Sequence, residues 1–343
     1  MTDRIAIGLI GCGFFSRNHL NSWKDLEPDG ADVVAVCDID PAKAKTTAEA
    51  FGIPHWYTDA ETMFRERNLG LVDIVTRMDT HRQLAEMAAH YKVPMIVQKP
   101  FAPDIDAVRA IVDTADAAGL FLAVHENFRF QTPLMKVKEV LESGAIGEPS
   151  WARISFRTGY DIYKGQPYLA KEERFVLMDL GVHVFDMARV LLGEVEHISA
   201  ELQKRNPNVA GEDTATMLLK HRSGAVSIVE CTYESRRVPD IFPETLLEIE
   251  GPKGAIILKP GSVLDVTIEG KAKTYDADAP VLPWAERPWH IIQESVLATN
   301  AHILESLRAG RPADTSAQDN VRTFTLVEAA YEAASAGRSV RVT

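Results

Sequence analysis

The stretch Ile5-Ala6-Ile7-Gly8-Leu9-Ile10-Gly11-Cys12-Gly13-Phe14-Phe15-Ser16 constrains this chain more than any other. Its apolar half suits a buried strand, the strand runs straight into a turn with paired glycines, and 14–26 then reads as a helix. Gly11 serves the tight turn, Gly13 lets a bulky anion approach the backbone, and the N–H groups opening the helix face negative charge. This is the cradle of a dinucleotide pyrophosphate, with Phe14 and Phe15 in the turn. Ser16 stands where such turns usually carry a third glycine, and it is small enough to keep helix and strand close. A second apolar run, Val33-Val34-Ala35-Val36-Cys37, ends in Asp38 roughly twenty residues on, where an adenosine ribose needs an acceptor. A 2′-phosphate would meet Asp38 and Asp40 there with no basic side chain before Lys43, so the expected cofactor is NAD rather than NADP.

The alternation continues. Helices are expected at 41–50, 60–67, 80–91 and 104–118, and strands at 71–75, 94–97 and 120–124. Strands alternating with helices predict a doubly wound parallel sheet whose ligands lie beyond the carboxyl ends of the strands. Past His125 the rhythm changes. Helices at 133–142 and 178–192 flank a strand at 151–157, and strands follow at 195–203, 214–221, 225–233, 245–250, 255–258 and 263–268. Helices at 289–308 and 317–336 close the chain. The expected fold is therefore α/β: a Rossmann domain over 1–125, then a substrate-binding and oligomerisation domain over 126–343 built on a large, mostly antiparallel open sheet. A length of 343 residues suits two such domains.

Composition excludes several classes of partner. The formal net charge of −12 disfavours nucleic acid and anionic membrane surfaces. No apolar run is long enough to span a bilayer and no signal-type segment opens the chain, so a cytoplasmic location is expected. Cys12, Cys37 and Cys231 are widely spaced and odd in number, which argues against disulfides and zinc and for small buried hydrophobes. No metal is expected, because no Cys/His ligand cluster accompanies Asp179 and His183.

Two stretches carry chemistry. Lys99, in Ile96-Val97-Gln98-Lys99-Pro100, stands at the carboxyl end of an expected core strand. A lysine partly desolvated there exchanges a proton with a substrate hydroxyl, although a surface lysine is the plainer reading. Asp179 and His183 lie four apart on an expected helix and share a face. That pair fits helix stabilisation, metal binding or acid–base work.

Together, the glycine turn, Asp38, the Glu-Lys-Pro-like triplet Gln98-Lys99-Pro100, the Asp179-x-x-x-His183 helix and the closing patterns at 303–312 and 327–334 resemble the Gfo/Idh/MocA family of sugar and polyol dehydrogenases. The resemblance covers essentially the whole chain. It implies nicotinamide-dependent oxidation of a carbohydrate alcohol, with Lys99 assisting proton removal, His183 acting as general acid/base or substrate anchor, and Asp179 binding substrate. It also implies a cis bond before Pro100. Two departures stand out: Gln98 replaces the usual acid, removing a negative charge that would favour protonated Lys99, and Arg77 replaces a proline after Thr76.

Thr76, His81, Gln98 and Asn127 are the remaining expected cofactor contacts, Asn127 on the nicotinamide side. Arg157, Tyr160, Tyr163, Trp289 and His290 are candidate sugar contacts, since sugars are held by hydrogen bonds against aromatic faces. Trp289 equally fits loop packing, and Arg157 a solvated or subunit-facing sheet surface. The expected reaction is oxidation of a monosaccharide, at the anomeric position of a pentose or hexose, to a lactone. The alternatives are a ring secondary alcohol of an inositol or anhydrosugar, an NADPH-dependent enzyme for a non-sugar carbonyl, and a non-catalytic NAD-binding regulator. The open sheet predicts a homodimer or homotetramer.

Overall fold

In the computed structural model, which describes residues 4–342, the opening apolar run is a central strand. This is β1 (Ile5–Ile10), and with β2 (Ala31–Cys37), β3 (His55–Tyr57), β4 (Leu71–Ile74), β5 (Met95–Gln98) and β6 (Leu122–His125) it forms a parallel sheet ordered β3-β2-β1-β4-β5-β6. The order reverses direction between β1 and β4, which is where an open α/β sheet presents its ligand crevice. The crossovers run through α1 (Ser16–Asp25), α2 (Pro41–Phe51), α3 (Ala60–Glu66), α4 (Met78–His90) and α5 (Ile105–Ala118).

Local chemistry sets these boundaries. Asp40 accepts the N–H groups of Ala42 and Lys43 at 2.9 and 3.3 Å, Pro41 opens α2 without needing a donor, and Gly52 ends it in the left-handed region at φ +68. Asp104 caps α5 in the same way through the N–H of Ala107.

The chain divides into two compact units, one reaching to Asn127 and including Val296–Arg322, the other comprising Phe128–Ser295 and the chain after Thr323. Residues 296–322, expected with the rest of 126–343, thus group with the first unit. The reason is packing: Ile303, Leu304 and Ala313 complete the buried cluster of Ile7, Trp23, Leu71, Ile96 and Ala123. Periodicity shows that those helices have an apolar face but not which core receives it.

The second unit carries a nine-stranded sheet. Its strands are β7 (Trp151–Arg157), β8 (Val195–Gln203), β9 (Thr214–His221), β10 (Val226–Thr232), β11 (Leu246–Gly251), β12 (Gly254–Lys259), β13 (Val263–Ile268), β14 (Lys271–Asp276) and β15 (Val340–Arg341), ordered β14-β13-β12-β11-β7-β10-β9-β8-β15. Among the described residues β7 and β10 pair in parallel and the other neighbours antiparallel. Past the first sheet the helices are α6 (Thr132–Glu142) and α7 (Val182–Leu192) of the second unit, and α8 (His290–Arg308) and α9 (Ala317–Ala336), each of which contributes residues to both units. Ala152, Ile154 and Phe156 of β7 and Val229 and Cys231 of β10 are buried on the face against which α7 packs. Arg153 and Arg157 alternate onto the opposite face, where both pair with Glu230, Arg157 at 3.0 Å.

The three thiols are buried, and burial raises Cys12 to about 11 and Cys37 to about 12, so they remain protonated and inert.

His221 joins β9 to the turn after α7: one ring nitrogen faces the Gly193 carbonyl at 2.7 Å and the other the Ser227 hydroxyl at 2.8 Å. Burial pushes its pKa below the ordinary 6.5. The folded value lies below the unfolded one, so this contribution to stability is complete above about pH 6.5 and is lost as pH falls through the folded value. Urea unfolding should therefore show wild-type stability declining in acid, with His221 contributing at most about 1.4 kcal/mol per pH unit. His221→Asn should flatten that decline; an equal slope in the variant would assign the acid sensitivity elsewhere.

Candidate active site

The cofactor side is built at the carboxyl ends of β1, β2, β4 and β5. Gly11 holds φ +99, and a Cβ there would meet the Val75 carbonyl oxygen at 2.3 Å, so only glycine fits between the two strand ends. A Cβ on Gly13 would meet nothing within 4 Å, which leaves the approach to the backbone open. Among the described residues no side chain caps the start of α1, which leaves its first N–H groups available to an anion. Ser16 braces the turn by donating its hydroxyl to the Gly13 carbonyl at 2.7 Å. Asp38 accepts the N–H groups of Cys12 at 2.8 Å and Asp40 at 2.9 Å, which fixes its carboxylate beside the glycine turn with lone pairs left for ribose hydroxyls. Phe14 is exposed on the turn, and Phe15 stands edge-on to His19 at 5.6 Å. These residues fit NAD.

The other expected cofactor residues divide. Thr76 accepts the Thr80 hydroxyl at 2.8 Å at the end of β4. His81 is fully buried, with one ring nitrogen 3.0 Å from the Phe101 carbonyl and the other 3.1 Å from that of Thr76. It ties two strand-end loops together through these carbonyls. Gln98 is also turned inward, accepting the Lys99 N–H at 2.6 Å and meeting His19 at 3.0 Å. The Lys99–Pro100 bond is cis, and Asn127 is buried just past β6. Arg77 pairs with Asp79 at 3.5 Å on the half-exposed start of α4.

In the second unit the segment expected as one helix opens with a π-helical turn, Leu177–Gly181, before α7 begins. Such a turn inserts a residue and commonly marks a functional position; here it carries Asp179. Glu212 anchors the entry, its Oε1 accepting the N–H groups of Phe175 and Leu177 at 3.1 and 3.2 Å and the Tyr331 hydroxyl at 2.6 Å. Tyr233 donates its hydroxyl to Asp179 Oδ2 at 2.7 Å. Burial, then the adjacent Asp179 charge, holds the Tyr233 pKa well above 10, so it stays a donor at any working pH. The His183 ring stacks on Phe128, centroids 3.7 Å apart and planes within 6°. Phe128 is itself placed by Arg129, which forks onto buried Asp186 with Nε to Oδ2 at 2.7 Å. Both catalytic candidates of this unit thus sit on rigid supports.

The substrate candidates also divide. Tyr160 stacks on Phe242 at 4.0 Å, and Trp289 stands edge-on to both at 5.7 and 4.8 Å, so three aromatic rings form one wall. Tyr163 packs on Phe175, which stacks on Tyr233, linking it to the Asp179 support. His290 is buried, with its ring nitrogens on Asp278 at 3.0 Å and the Pro288 carbonyl at 3.2 Å; it locks its own loop. Arg157 lies on the sheet face turned away from α7 and is held by Glu230, so neither His290 nor Arg157 is placed as a sugar contact. Sequence reasoning missed Tyr233, Glu212 and Phe242, and placed Phe128 only within the 125–129 turn after β6. The signal that points to Tyr233 is its place directly after the end of β10.

Tyr233→Phe removes one hydrogen bond to a charged group. It should lower kcat/KM for sugar oxidation about tenfold to hundredfold in steady-state assays, with little change in NAD binding; unchanged kcat/KM would mean that Asp179 needs no such support.

Residues 5–126 match the oxidoreductase family with an NAD-binding Rossmann fold, and residues 134–257 match the GFO/IDH/MocA C-terminal domain. Over 334 residues the chain is 49% identical to D-apiose dehydrogenase of Rhizobium rhizogenes, covering 97% of this chain and 96% of that protein. It is 45% identical to D-apiose dehydrogenase of Paraburkholderia graminis, covering 97% of this chain and 88% of that one. An oxidoreductase from Agrobacterium radiobacter, solved in complex with NAD+, L-tartaric acid and magnesium, matches with a TM-score of 0.97 at 49% identity over 99% of this chain and 98% of that chain. With a glycine cradle fitted to NAD at one end and matches along nearly its full length, the chain belongs to the GFO/IDH/MocA family of NAD-binding oxidoreductases.

Proposed function

We propose that this NAD-dependent sugar dehydrogenase oxidises D-apiose, or an aldopentose of closely similar shape, at the anomeric carbon. The observation that carries the reading is near-full-length identity of 49% to one D-apiose dehydrogenase and 45% to another. Bound NAD+ supplies the hydride acceptor. The hemiacetal carbon loses its hydrogen as hydride and its hydroxyl loses a proton. The ring oxygen stays in place, so the product is a lactone, with NADH and one proton formed alongside.

The chain's own residues handle the proton and the sugar. Lys99 accepts the proton of the anomeric hydroxyl. Asp179, fixed by Tyr233, accepts a hydrogen bond from a neighbouring sugar hydroxyl. His183, its ring plane fixed by Phe128, anchors the reacting oxygen and shares the acid–base work. Tyr160 and Trp289 offer aromatic faces to the sugar C–H groups.

A second copy of the chain is the natural cover for the open face of the nine-stranded sheet, where Leu218 is 49% exposed. Ile228 pairs with Leu218 on that face, and an assembly through it is either a homodimer or a homotetramer. Dependence on a recycled NAD pool supports work in the cytoplasm.

Purified protein should form NADH with D-apiose and release a lactone or its hydrolysed acid. Lys99→Ala should lower kcat at least about a hundredfold. Turnover of inositols or anhydrosugars without turnover of D-apiose would move the reaction to a secondary carbon and reject this reading. In light scattering the wild type should exceed the mass of one chain, and Leu218→Glu combined with Ile228→Glu should yield single chains; an unchanged assembly would place the interface elsewhere.

A further inference from the structure

Behind Lys99 lies a buried relay that neither the NAD cradle nor the sugar reading uses. Trp23 and His19 of α1 both point at Asp73 in β4: Trp23 Nε1 donates to Oδ2 at 2.8 Å, and His19 Nδ1 lies 2.8 Å from the same oxygen. The far nitrogen of His19 meets the Gln98 amide nitrogen of β5 at 3.0 Å, and the Gln98 amide oxygen accepts the backbone N–H of Lys99 at 2.6 Å. His19 and Asp73 are fully buried and Gln98 is 6% exposed. The groups facing His19 are Asp73 from β4, Gln98 from β5, the His125 ring from β6 at 4.1 Å, and Phe15 at the foot of α1 at 5.6 Å.

The proton positions follow from the donors. The Lys99 N–H requires an acceptor, so the Gln98 oxygen faces it and the amide NH2 faces His19; the flipped amide would set two donors against each other. His19 Nε2 is then an acceptor, and its single proton sits on Nδ1 and is donated to Asp73. We propose that His19 is a positioning residue for Lys99: neutral and protonated on Nδ1, it orients the Gln98 amide that holds the Lys99 backbone. The proposal rests on the reading of Lys99 as the proton acceptor.

The same relay revises the expectation about Gln98. A carboxylate at that position accepts the Lys99 N–H equally well but confronts the lone pair of His19 Nε2, so His19 must take a second proton. Gln98, neutral His19 and ionised Asp73 sum to one negative charge, and so do Glu at 98, doubly protonated His19 and Asp73. Glutamine therefore does not strip a charge from the surroundings of Lys99; it spares His19 a proton.

The test uses the full-length protein labelled with 15N in histidine. Wild-type His19 should show a protonated Nδ1 and a bare Nε2, and Gln98→Glu under the same conditions should show both nitrogens protonated. This assignment needs no substrate, so it can fail while the role of Lys99 stands, and the converse is equally visible. His19→Asn keeps a donor for Asp73 but removes the acceptor for Gln98. It should lower kcat about tenfold to hundredfold with KM for NAD within about twofold, and cause no further loss in a Lys99→Ala background. Should His19→Asn fold poorly, Gln98→Leu reads the same step, since it cuts the bond to Lys99 and leaves His19 on Asp73. A wild-type Nε2 that carries the proton, unchanged kcat, or a full additional loss in the Lys99→Ala background would overturn the proposal.

Discussion

The cofactor half of this protein depends on two strand ends meeting with no side chain between them. Gly11 passes so close to the Val75 carbonyl that any Cβ would collide with it. That close approach lets Asp38 reach back to the Cys12 N–H, lets Ser16 brace Gly13, and leaves the start of α1 bare for a pyrophosphate. It also explains why departure from a third glycine is harmless: Ser16 contributes a hydrogen bond where glycine contributes only smallness. The lysine side of the same unit is organised from within, through a line of buried polar groups running from Trp23 to the backbone of Lys99.

The second unit solves a different problem. A carboxylate and an imidazole on one helix are commonplace, and what distinguishes Asp179 and His183 is how little freedom they retain. A π-helical turn, a buried tyrosine hydroxyl, a stacked phenylalanine and an ion pair between Arg129 and Asp186 fix the two groups before any ligand arrives. Preorganisation of this kind lets a few polar side chains discriminate among sugars that differ by one hydroxyl.

What the sequence made legible was local. Buried strands and capped helices announce themselves through apolar runs, Asp or Pro at the start and Gly at the end, and β7, β8, β9, β13 and α9 lie where those signals put them. Three of the four edge strands do not announce themselves. β14 is exposed along its whole length and so carries no alternation, and β3 and β15 are too short to show one. Residues defined by long-range partners were equally hidden: Tyr233 lies 54 positions from Asp179, and His19 lies 79 from Gln98. His81, His290 and Arg157 show the converse, because polar residues near a strand end or an aromatic read as ligand contacts in the sequence, whereas the fold gives each of them partners within the protein. The passage of 296–322 into the first unit belongs to the same class, being set by a core that only the folded chain assembles.

The proposed reaction takes hydride from the anomeric carbon of a pentose. D-Apiose carrying deuterium at that carbon tests it directly, with the reduced cofactor analysed by mass spectrometry. The deuterium should appear in the nicotinamide and be absent from the lactone. Unlabelled NADH, with deuterium retained in the oxidised sugar, would show that the hydride comes from another carbon and would rule out anomeric oxidation.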